Sequence, residues 1–205
     1  MVFSTPIFLF LFLPAVLVLN YIIPKKYIAA KNVVLLIASL FFYAWGEPKN
    51  VLLMLLSIAV NYVCGLLLGR FDSDEKKRKV VLWASVVFNL GLLFFFKYFN
   101  FVTGGLFPVI KLPIGISFFT FQIMSYTIDV YRRSVEPQKS LLKLALYISL
   151  FPQLIAGPIV RYIDVEKQLT YRECTAEKTA RGMIRFSMGL AKKVIVSNTV
   201  AAICD

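Results

Sequence analysis

The chain has 205 residues, of which 59% are hydrophobic and 17% are charged, and its formal net charge is +12. This composition excludes an ordinary soluble domain. The basic residues cluster in short stretches between apolar runs, which indicates a role in membrane topology and argues against binding of nucleic acid. The sequence therefore predicts an all-α, polytopic transmembrane protein.

Apolar runs long enough to cross a membrane recur along the chain, since a crossing helix needs about 20 apolar residues. The first run has no basic residue before it and is too long for a signal-peptide core, so we interpret it as a retained span. After a series of full spans we predict a broken segment at 144–160, a polar surface segment at 161–181 and a span or half-span at 183–201. The full spans are predicted at residues 3–23, 28–45, 51–69, 80–99 and 112–131.

Lysine and arginine are concentrated in four regions, at residues 24–31, 70–79, 132–143 and 161–193. Short cytoplasmic loops of membrane proteins carry the excess of basic residues. Placing the four regions in the cytoplasm puts the N-terminus outside, with the first five spans crossing in alternation. The fourth region then requires that residues 144–160 return to the side from which they entered.

The sequence LFPQLIAGPIVRY, residues 150–162, interrupts an apolar run with two prolines, a glycine and an arginine. We expect segment 144–160 to be a re-entrant hairpin that turns at Pro152 and Gly157-Pro158. The alternative is a proline-kinked helix that crosses fully. Non-helical backbone at membrane depth needs protein or a water-filled cavity around it, so a re-entrant hairpin also predicts a cavity beside this segment.

The fifth predicted span carries polar side chains at helical spacing within ISFFTFQIMSYTIDVYRR. Ionisable residues at membrane depth cost about 3 kcal/mol unless they are paired or solvated, so such a stripe faces a bundle interior or an aqueous path. The alternative is that Asp129 and Arg133 pair with each other at the cytoplasmic end of the helix. A helix places five residues on the stripe: Gln122, Ser125, Tyr126, Asp129 and Arg133.

Two other sets of residues favour structural interpretations. Asn61, with Ser57 and Gly65 at four-residue spacing, is typical of a helix-packing face. The three cysteines are far apart and are unaccompanied by histidine, so we expect neither a disulfide framework nor a metal site.

The sequence shows no complete active site. It contains no histidine, the usual general base near neutral pH, and no GxSxG, P-loop or HExxH motif. It ends at VSNTVAAICD, directly after an apolar stretch, so we expect it to be the N-terminal part of a longer protein. The chemistry that is missing here is then expected in the remaining sequence.

Four segments occur in the order in which they are found in membrane-bound O-acyltransferases, and the sequence most resembles the alginate O-acetyltransferase branch. The resemblance covers essentially the whole chain. It implies a ring of membrane helices, incomplete here, around a thinned centre, with re-entrant pieces and a tunnel for an acyl group. The branch that transfers D-alanine to teichoic acid is similar in layout and stays an alternative. The segments are MVFSTPIFLFLFLP, LPIGISFFTFQIMSYTIDVYRR, LFPQLIAGPIVRY and GLAKKVIVSN.

The resemblance implies roles for residues of the two central motifs, by motif position. The family's catalytic histidine belongs to a membrane segment that is expected beyond Asp205, so no residue here inherits that role. The residues implied to form the tunnel or its cytoplasmic mouth are Gln122, Ser125, Tyr126, Asp129, Arg133, Pro152, Gln153, Gly157, Pro158 and Arg161.

The resemblance also implies an activity and its participants. The activity is O-acetyl transfer across a bacterial-type inner membrane to an exported or cell-surface polysaccharide such as alginate. The implied donor is cytoplasmic acetyl-CoA, with no resident cofactor, and the implied partners are membrane lipids, an extracytoplasmic acetyltransferase and the polysaccharide acceptor. Two alternatives from other classes are a transporter, since broken segments and intramembrane polar residues also mark substrate pathways, and a non-catalytic membrane scaffold.

Overall fold

The computed structural model describes residues 3, 5–24, 26–103, 111–154, 157–172, 175–197 and 199–200. Every regular element in these ranges is helical, which confirms the predicted all-α class. A π-helical turn at Phe8–Phe12 precedes the first α-helix, and a second one at Lys192–Ser197 follows the last. The α-helices in chain order are α1 Leu13–Ile22, α2 Ile28–Gly46, α3 Asn50–Arg70, α4 Glu75–Val102, α5 Ile116–Tyr131, α6 Leu141–Ser149, α7 Phe151–Leu154, α8 Tyr162–Thr170 and α9 Ala176–Ala191.

Within the described ranges, three helices, α2, α3 and α4, are long and apolar enough to cross a membrane. The apolar helix at Phe8–Ile22 is shorter. Pro14 lies at its junction between π-helix and α-helix, where the missing N–H group interrupts the regular hydrogen-bond ladder. α5 has 16 residues, which makes it about 24 Å long at 1.5 Å per residue, less than the roughly 30 Å of bilayer hydrocarbon. That α1 and α5 cross the membrane stays a prediction.

The predicted surface segment at 161–181 contains α8 and the beginning of α9. The side chain of Thr175 sets that beginning, because its hydroxyl oxygen accepts a hydrogen bond from the Lys178 backbone N–H at 3.2 Å. α9 extends into the predicted last span at 183–201, and none of its residues is buried. Entry of that segment into the membrane stays a prediction. Residues 4, 155–156, 173–174, 198 and 201 of the predicted segments lie outside the described residues.

α5 is the central helix, packed against α3, α4 and α6. Nine of its 16 residues are buried, so it presents little surface to lipid. A second, smaller core joins α1, α2 and α7. Phe151 of α7 packs into this core, with its ring centroid 5.4 Å from that of Phe12 and 5.7 Å from that of Phe42. The interrupted segment is therefore anchored on both sides, through α6 on the main core and through Phe151 on the aromatic one.

Buried amide and hydroxyl groups join α3, α4 and α5. Asn61 Oδ1 accepts hydrogen bonds from Ser85 Oγ at 2.7 Å and from Asn89 Nδ2 at 2.8 Å. Thr127 Oγ1 donates to the same oxygen at 3.3 Å, and Asn61 Nδ2 donates to the Ser57 carbonyl at 2.9 Å. The hydrophobic effect does not drive apolar helices together within a lipid bilayer, so polar contacts of this kind hold them in register. The packing interpretation of Asn61 is confirmed.

Arg78, which the sequence analysis did not identify, closes one end of this bundle. Its guanidinium donates to the carbonyl of Leu68 in the last turn of α3 at 2.8 Å and to that of Tyr131 at the end of α5 at 2.7 Å. It also pairs with Asp72 Oδ1 at 2.7 Å, and its side chain is 2% exposed. The last carbonyls of a helix lack intrahelical partners and carry partial negative charge, so one buried cation satisfies two helix ends.

Candidate functional site

Asp129 and Arg161 form the ion pair at the centre of the candidate site. Arg161 donates from Nε to Asp129 Oδ2 at 3.2 Å and from Nη2 to Oδ1. The two parallel hydrogen bonds match the guanidinium fork to a carboxylate, and they raise the pKa of Arg161 above its ordinary value by stabilising the cation. The side chain of Asp129 is only 4% exposed, whereas that of Arg161 is 51% exposed. The pair joins α5 to the residue that precedes α8.

Arg133 does not pair with Asp129, so the predicted alternative of a pair between these two residues is wrong. α5 ends at Tyr131, and Arg133 follows it with a φ of 59°, in the left-handed region. Its guanidinium instead lies 3.0 Å from Asp72 Oδ1 and 3.0 Å from Glu75 Oε1. The polar stripe ends at Asp129, because the helical periodicity that would align Arg133 with it stops first.

The other stripe residues contact the broken segment or their own helix. Gln122 Nε2 donates to the carbonyl oxygen of Tyr147 at 3.0 Å, and Gln153 Nε2 donates to the same oxygen. Tyr147 lies in the last turn of α6, where carbonyl groups lack intrahelical partners. Ser125 Oγ donates to the Gln122 carbonyl at 2.7 Å. Two predicted site residues from different motifs, Gln122 and Gln153, therefore share one acceptor.

Three buried tyrosines form an aromatic cluster beside the ion pair. The Tyr162 ring centroid lies 5.1 Å from that of Tyr126 and 5.2 Å from that of Tyr147, in edge-to-face arrangements. Tyr126 Oη accepts a hydrogen bond from the backbone N–H of Gln138 at 3.0 Å, and Gln138 Nε2 donates to Tyr162 Oη. Of these three tyrosines, only Tyr126 belongs to the polar stripe predicted from the sequence. A buried tyrosine needs a partner for its hydroxyl group, but no spacing in the sequence reveals that these partners are shared.

The chain that follows α5 approaches the start of this helix and then returns towards its end. Gln138, before α6, and Tyr162, after the broken segment, both contact Tyr126 near the end of α5. Between them the chain approaches the start of α5, because a Cβ atom built on Gly115 would lie 2.9 Å from the carbonyl oxygen of Leu154. On the returning part, the Val160 carbonyl accepts a hydrogen bond from Tyr147 Oη at 2.8 Å.

The backbone breaks in this segment have local causes. α6 ends where Leu150 adopts an extended ψ of 114°, and the free N–H of Phe151 donates to Ser39 Oγ of α2 at 3.2 Å. Gly157 has a φ of 122°, which side-chain-bearing residues rarely adopt. Pro152, Gly157 and Pro158 are exposed and contribute bends of the backbone. Residues 155–156, between them, lie outside the described residues.

A cavity of about 600 Å³ lies beside the broken segment. Leu150, Phe151 and Pro152 form one wall, and residues of α1, α2 and α9 form the others. The lining is mainly apolar and includes Met183 of α9, so the cavity suits hydrocarbon better than water. Among the residues that the structure describes, no group of three or more histidine, cysteine or acidic side chains is arranged to hold a metal ion.

Comparison with known proteins identifies relatives over the whole chain. A "Probable alginate O-acetylase AlgI" of Pseudomonas aeruginosa is 40% identical over 218 aligned residues, which cover all of this chain and 41% of the relative. The protein of the same name from Azotobacter vinelandii is 38% identical, with 43% of its length covered. A "Peptidoglycan O-acetyltransferase" of Helicobacter pylori is 34% identical, with 46% of its length covered.

The chain spans less than half of the length of these relatives. No family profile and no solved structure matches the sequence. The similarity to the relatives nevertheless covers all 205 residues, including both motifs that supply the ion pair. The chain is therefore similar over its whole length to proteins named as alginate O-acetylases and to one named as a peptidoglycan O-acetyltransferase, in agreement with its resemblance to alginate O-acetyltransferases.

Proposed function

We propose that the protein is a membrane O-acetyltransferase that acts on an exported or cell-surface polysaccharide such as alginate. The observation that carries this proposal is the similarity, at 34–40% identity over the whole chain, to proteins named for O-acetylation of alginate or peptidoglycan. These names favour acetyl transfer over the D-alanyl transfer of the related branch. They also favour an enzyme over a transporter or a scaffold.

In our proposal, residues 144–160 are a re-entrant hairpin that lines the path of the acetyl group. The support is geometric: Gln138 and Tyr162, which flank the segment, both contact Tyr126, while Leu154 lies beside Gly115 at the other end of α5. α6 has nine residues and would rise about 14 Å, too short for a crossing of the hydrocarbon. Because this segment lies between α2 and α5 and is too short to cross the hydrocarbon, an acyl group beside it has a shorter distance to travel through the protein.

The chemistry of the transfer defines what this chain can contribute. The acceptor hydroxyl oxygen attacks the acetyl carbonyl carbon, the bond from that carbon to the donor sulfur breaks, and the hydroxyl proton passes to a base as the thiolate leaves. The chain has no histidine, so we assign no base within it and propose that the catalytic histidine lies in sequence beyond Asp205. We propose instead that Gln122, Gln153 and Arg161 bind and orient groups along the path. Arg133 lies beside Asp72 and Glu75, outside this path.

Arg161 is the member of that set best suited to an anionic donor. Its side chain is half exposed and is also bound to the buried carboxylate of Asp129. The ion pair therefore fixes the orientation of the guanidinium, and the exposed side of this group is available to a ligand. We propose cytoplasmic acetyl-CoA as the donor, because its phosphates match cations at this mouth. The remaining participants that we propose are an extracytoplasmic transferase, the polysaccharide acceptor and an inner-membrane location with the N-terminus outside.

The test is genetic and chemical. Ester-linked acetate released by mild alkali is measured on the exported polysaccharide of cells that lack the gene encoding this sequence, and of the same cells with the gene restored. We expect acetate only after restoration, and a gene carrying Asp129→Asn to restore less. Equal acetate with and without the gene would refute the acetyltransferase proposal, and labelling with D-alanine in place of acetate would favour the related branch.

A further inference from the structure

A groove of about 610 Å³ lies at the end of the bundle that Arg78 closes. Its walls are the last turn of α3, the loop between α3 and α4, and the segment that follows α5. The walls meet closely, because a Cβ atom on Gly69 would lie 2.6 Å from Pro137 Cγ. The groove is therefore built by packed elements and is separate from the apolar cavity beside Pro152.

Basic side chains outnumber acidic ones in the lining. Arg70, Arg78, Arg133 and Lys139 face Asp72 and Glu136. Asp72 is already bound by Arg78 and Arg133, at 2.7 and 3.0 Å. Within the described part of the chain, neither Arg70 nor Lys139 has a hydrogen bond or ion pair from its side chain, and both are exposed.

Arg133 lies in the groove with a strained backbone conformation. Its φ of 59° lies in a region that favours glycine, at the turn that ends α5. The Ser134 N–H completes this turn by donating to the Asp129 carbonyl at 2.9 Å. Asp72 and Glu75 hold the guanidinium on both sides. A glycine would form the same turn without strain, so the arginine contributes charge and hydrogen-bond donors to the groove.

We propose that this groove binds the phosphate group of an anionic membrane lipid. Leu66, which is 37% exposed, lies next to the cations and gives the lipid's glycerol and first methylene groups an apolar surface. The groove lies where α3 and α5 end, in the regions whose basic residues the sequence assigns to a membrane surface. A basic pocket between such helix ends is suited to an anionic head group. The proposal is independent of acetyl transfer.

Binding is measured by calorimetry on the purified protein in detergent, with dihexanoyl phosphatidylglycerol, dihexanoyl phosphatidylcholine and inorganic phosphate as probes. We expect phosphatidylglycerol to bind at least about tenfold more tightly than the other two. Arg70→Gln combined with Lys139→Gln should weaken its binding about 30-fold, since each cation near the head group contributes about fivefold. The matched control is Lys76→Gln with Lys79→Gln, which removes the same charge from exposed positions of α4 outside the groove.

The charge-retaining variant Arg70→Lys with Lys139→Arg keeps the test decisive if the neutral variant unfolds, because it should bind within about threefold of the original protein. Equal affinity for the two lipids would overturn the proposal, as would an equal loss in the groove and control variants. Inorganic phosphate binding as tightly as phosphatidylglycerol would also overturn it, and would indicate a soluble phosphate ligand.

Discussion

At the residue scale, the members of the central ion pair differ in how much water reaches them. Asp129 is 4% exposed and Arg161 is 51% exposed, so water can replace the partner of the arginine but not that of the carboxylate. Arg161→Met should therefore destabilise the protein by about 3 kcal/mol, because it leaves a buried charge unpaired, and Asp129→Asn by about 1 kcal/mol. Thermal unfolding in detergent measures both effects.

The double variant Asp129→Asn with Arg161→Met is the control for this asymmetry. It should cost less than the sum of the single changes, because neither charge is then stranded. Equal costs for the two single variants, with additive effects, would contradict the assigned roles.

Both members of this pair are predicted from the sequence as site residues, but their pairing is not, for a physical reason. Asp129 is conspicuous because a carboxylate in an apolar helix requires a partner. Helical spacing proposed Arg133, four residues away, but the helix ends before that residue. The actual partner is 32 residues distant, and only the folding of the broken segment brings Arg161 back to α5. Arg78 was missed similarly, because its acceptors are backbone carbonyls that no side-chain pattern encodes.

Asp72 gives the protein a pH dependence at the same scale. The hydrogen bond and charge of Arg133 lower the pKa of Asp72 below its ordinary value. A carboxyl group whose folded pKa is depressed contributes stability above the unfolded pKa and loses it as the pH falls through the folded pKa. We expect the melting temperature to fall below about pH 4, and Asp72→Asn to reduce that fall. An unchanged acid profile in this variant would show that other carboxyl groups dominate.

At the element scale, the close approach of Leu154 to the start of α5 depends on one glycine. Gly115 has a φ of 78°, and an added Cβ would lie 2.9 Å from the Leu154 carbonyl oxygen. Gly115→Ala should cost about 2 kcal/mol from strain and displacement together. Gly91→Ala is the control, because no atom lies within 4 Å of its added Cβ in α4 and alanine favours helix. Melting temperatures that fall equally for both variants would contradict this account of the contact.

The helices themselves were predictable to different degrees. α2, α3 and α4 contain long apolar runs, and the bounds of α2 and α3 lie within one residue of the predicted spans. α4 begins at Glu75, five residues before its predicted span, because the basic residues before the apolar run are helical too. α5 begins only at Ile116, because Gly115 turns the chain before it. The predicted hairpin region divides into α6 and α7 at Leu150, next to Pro152. Apolar composition identifies such a segment. It does not predict the break, because the free N–H of Phe151 donates to Ser39, which belongs to a different helix.

At the scale of the whole molecule, the return of the broken segment determines the topology. Lys143 Nζ, before it, donates to Thr170 Oγ1, after it, at 3.1 Å. Single cysteines at Ser140→Cys and Thr170→Cys, in a protein whose native cysteines are changed to serine, should therefore react with an impermeant maleimide from the same side of the membrane. Lys111→Cys should react from the other side. Labelling of positions 140 and 170 from opposite sides would refute the re-entrant hairpin.

The proposed function of the whole molecule rests on similarity to known proteins more than on any single residue. The motifs around Asp129 and Arg161 carry the resemblance, and the whole chain is similar to proteins named for O-acetylation of alginate or peptidoglycan. The chain has no histidine, so chemistry could not be read from its side chains alone. What the structure adds is the pairing of the two motifs through Asp129 and Arg161 and through the shared Tyr147 carbonyl.

The measurement that tests the central proposal most directly is the sidedness of acetyl transfer. Membrane vesicles of both orientations, from cells expressing the gene that encodes this sequence, receive radiolabelled acetyl-CoA, which does not cross the bilayer, with polysaccharide acceptor enclosed or added. We expect labelled ester only when the donor contacts the cytoplasmic face and the acceptor the opposite face. Ester formed with donor and acceptor on one face, or none in either orientation, would contradict transfer of an acetyl group across the membrane.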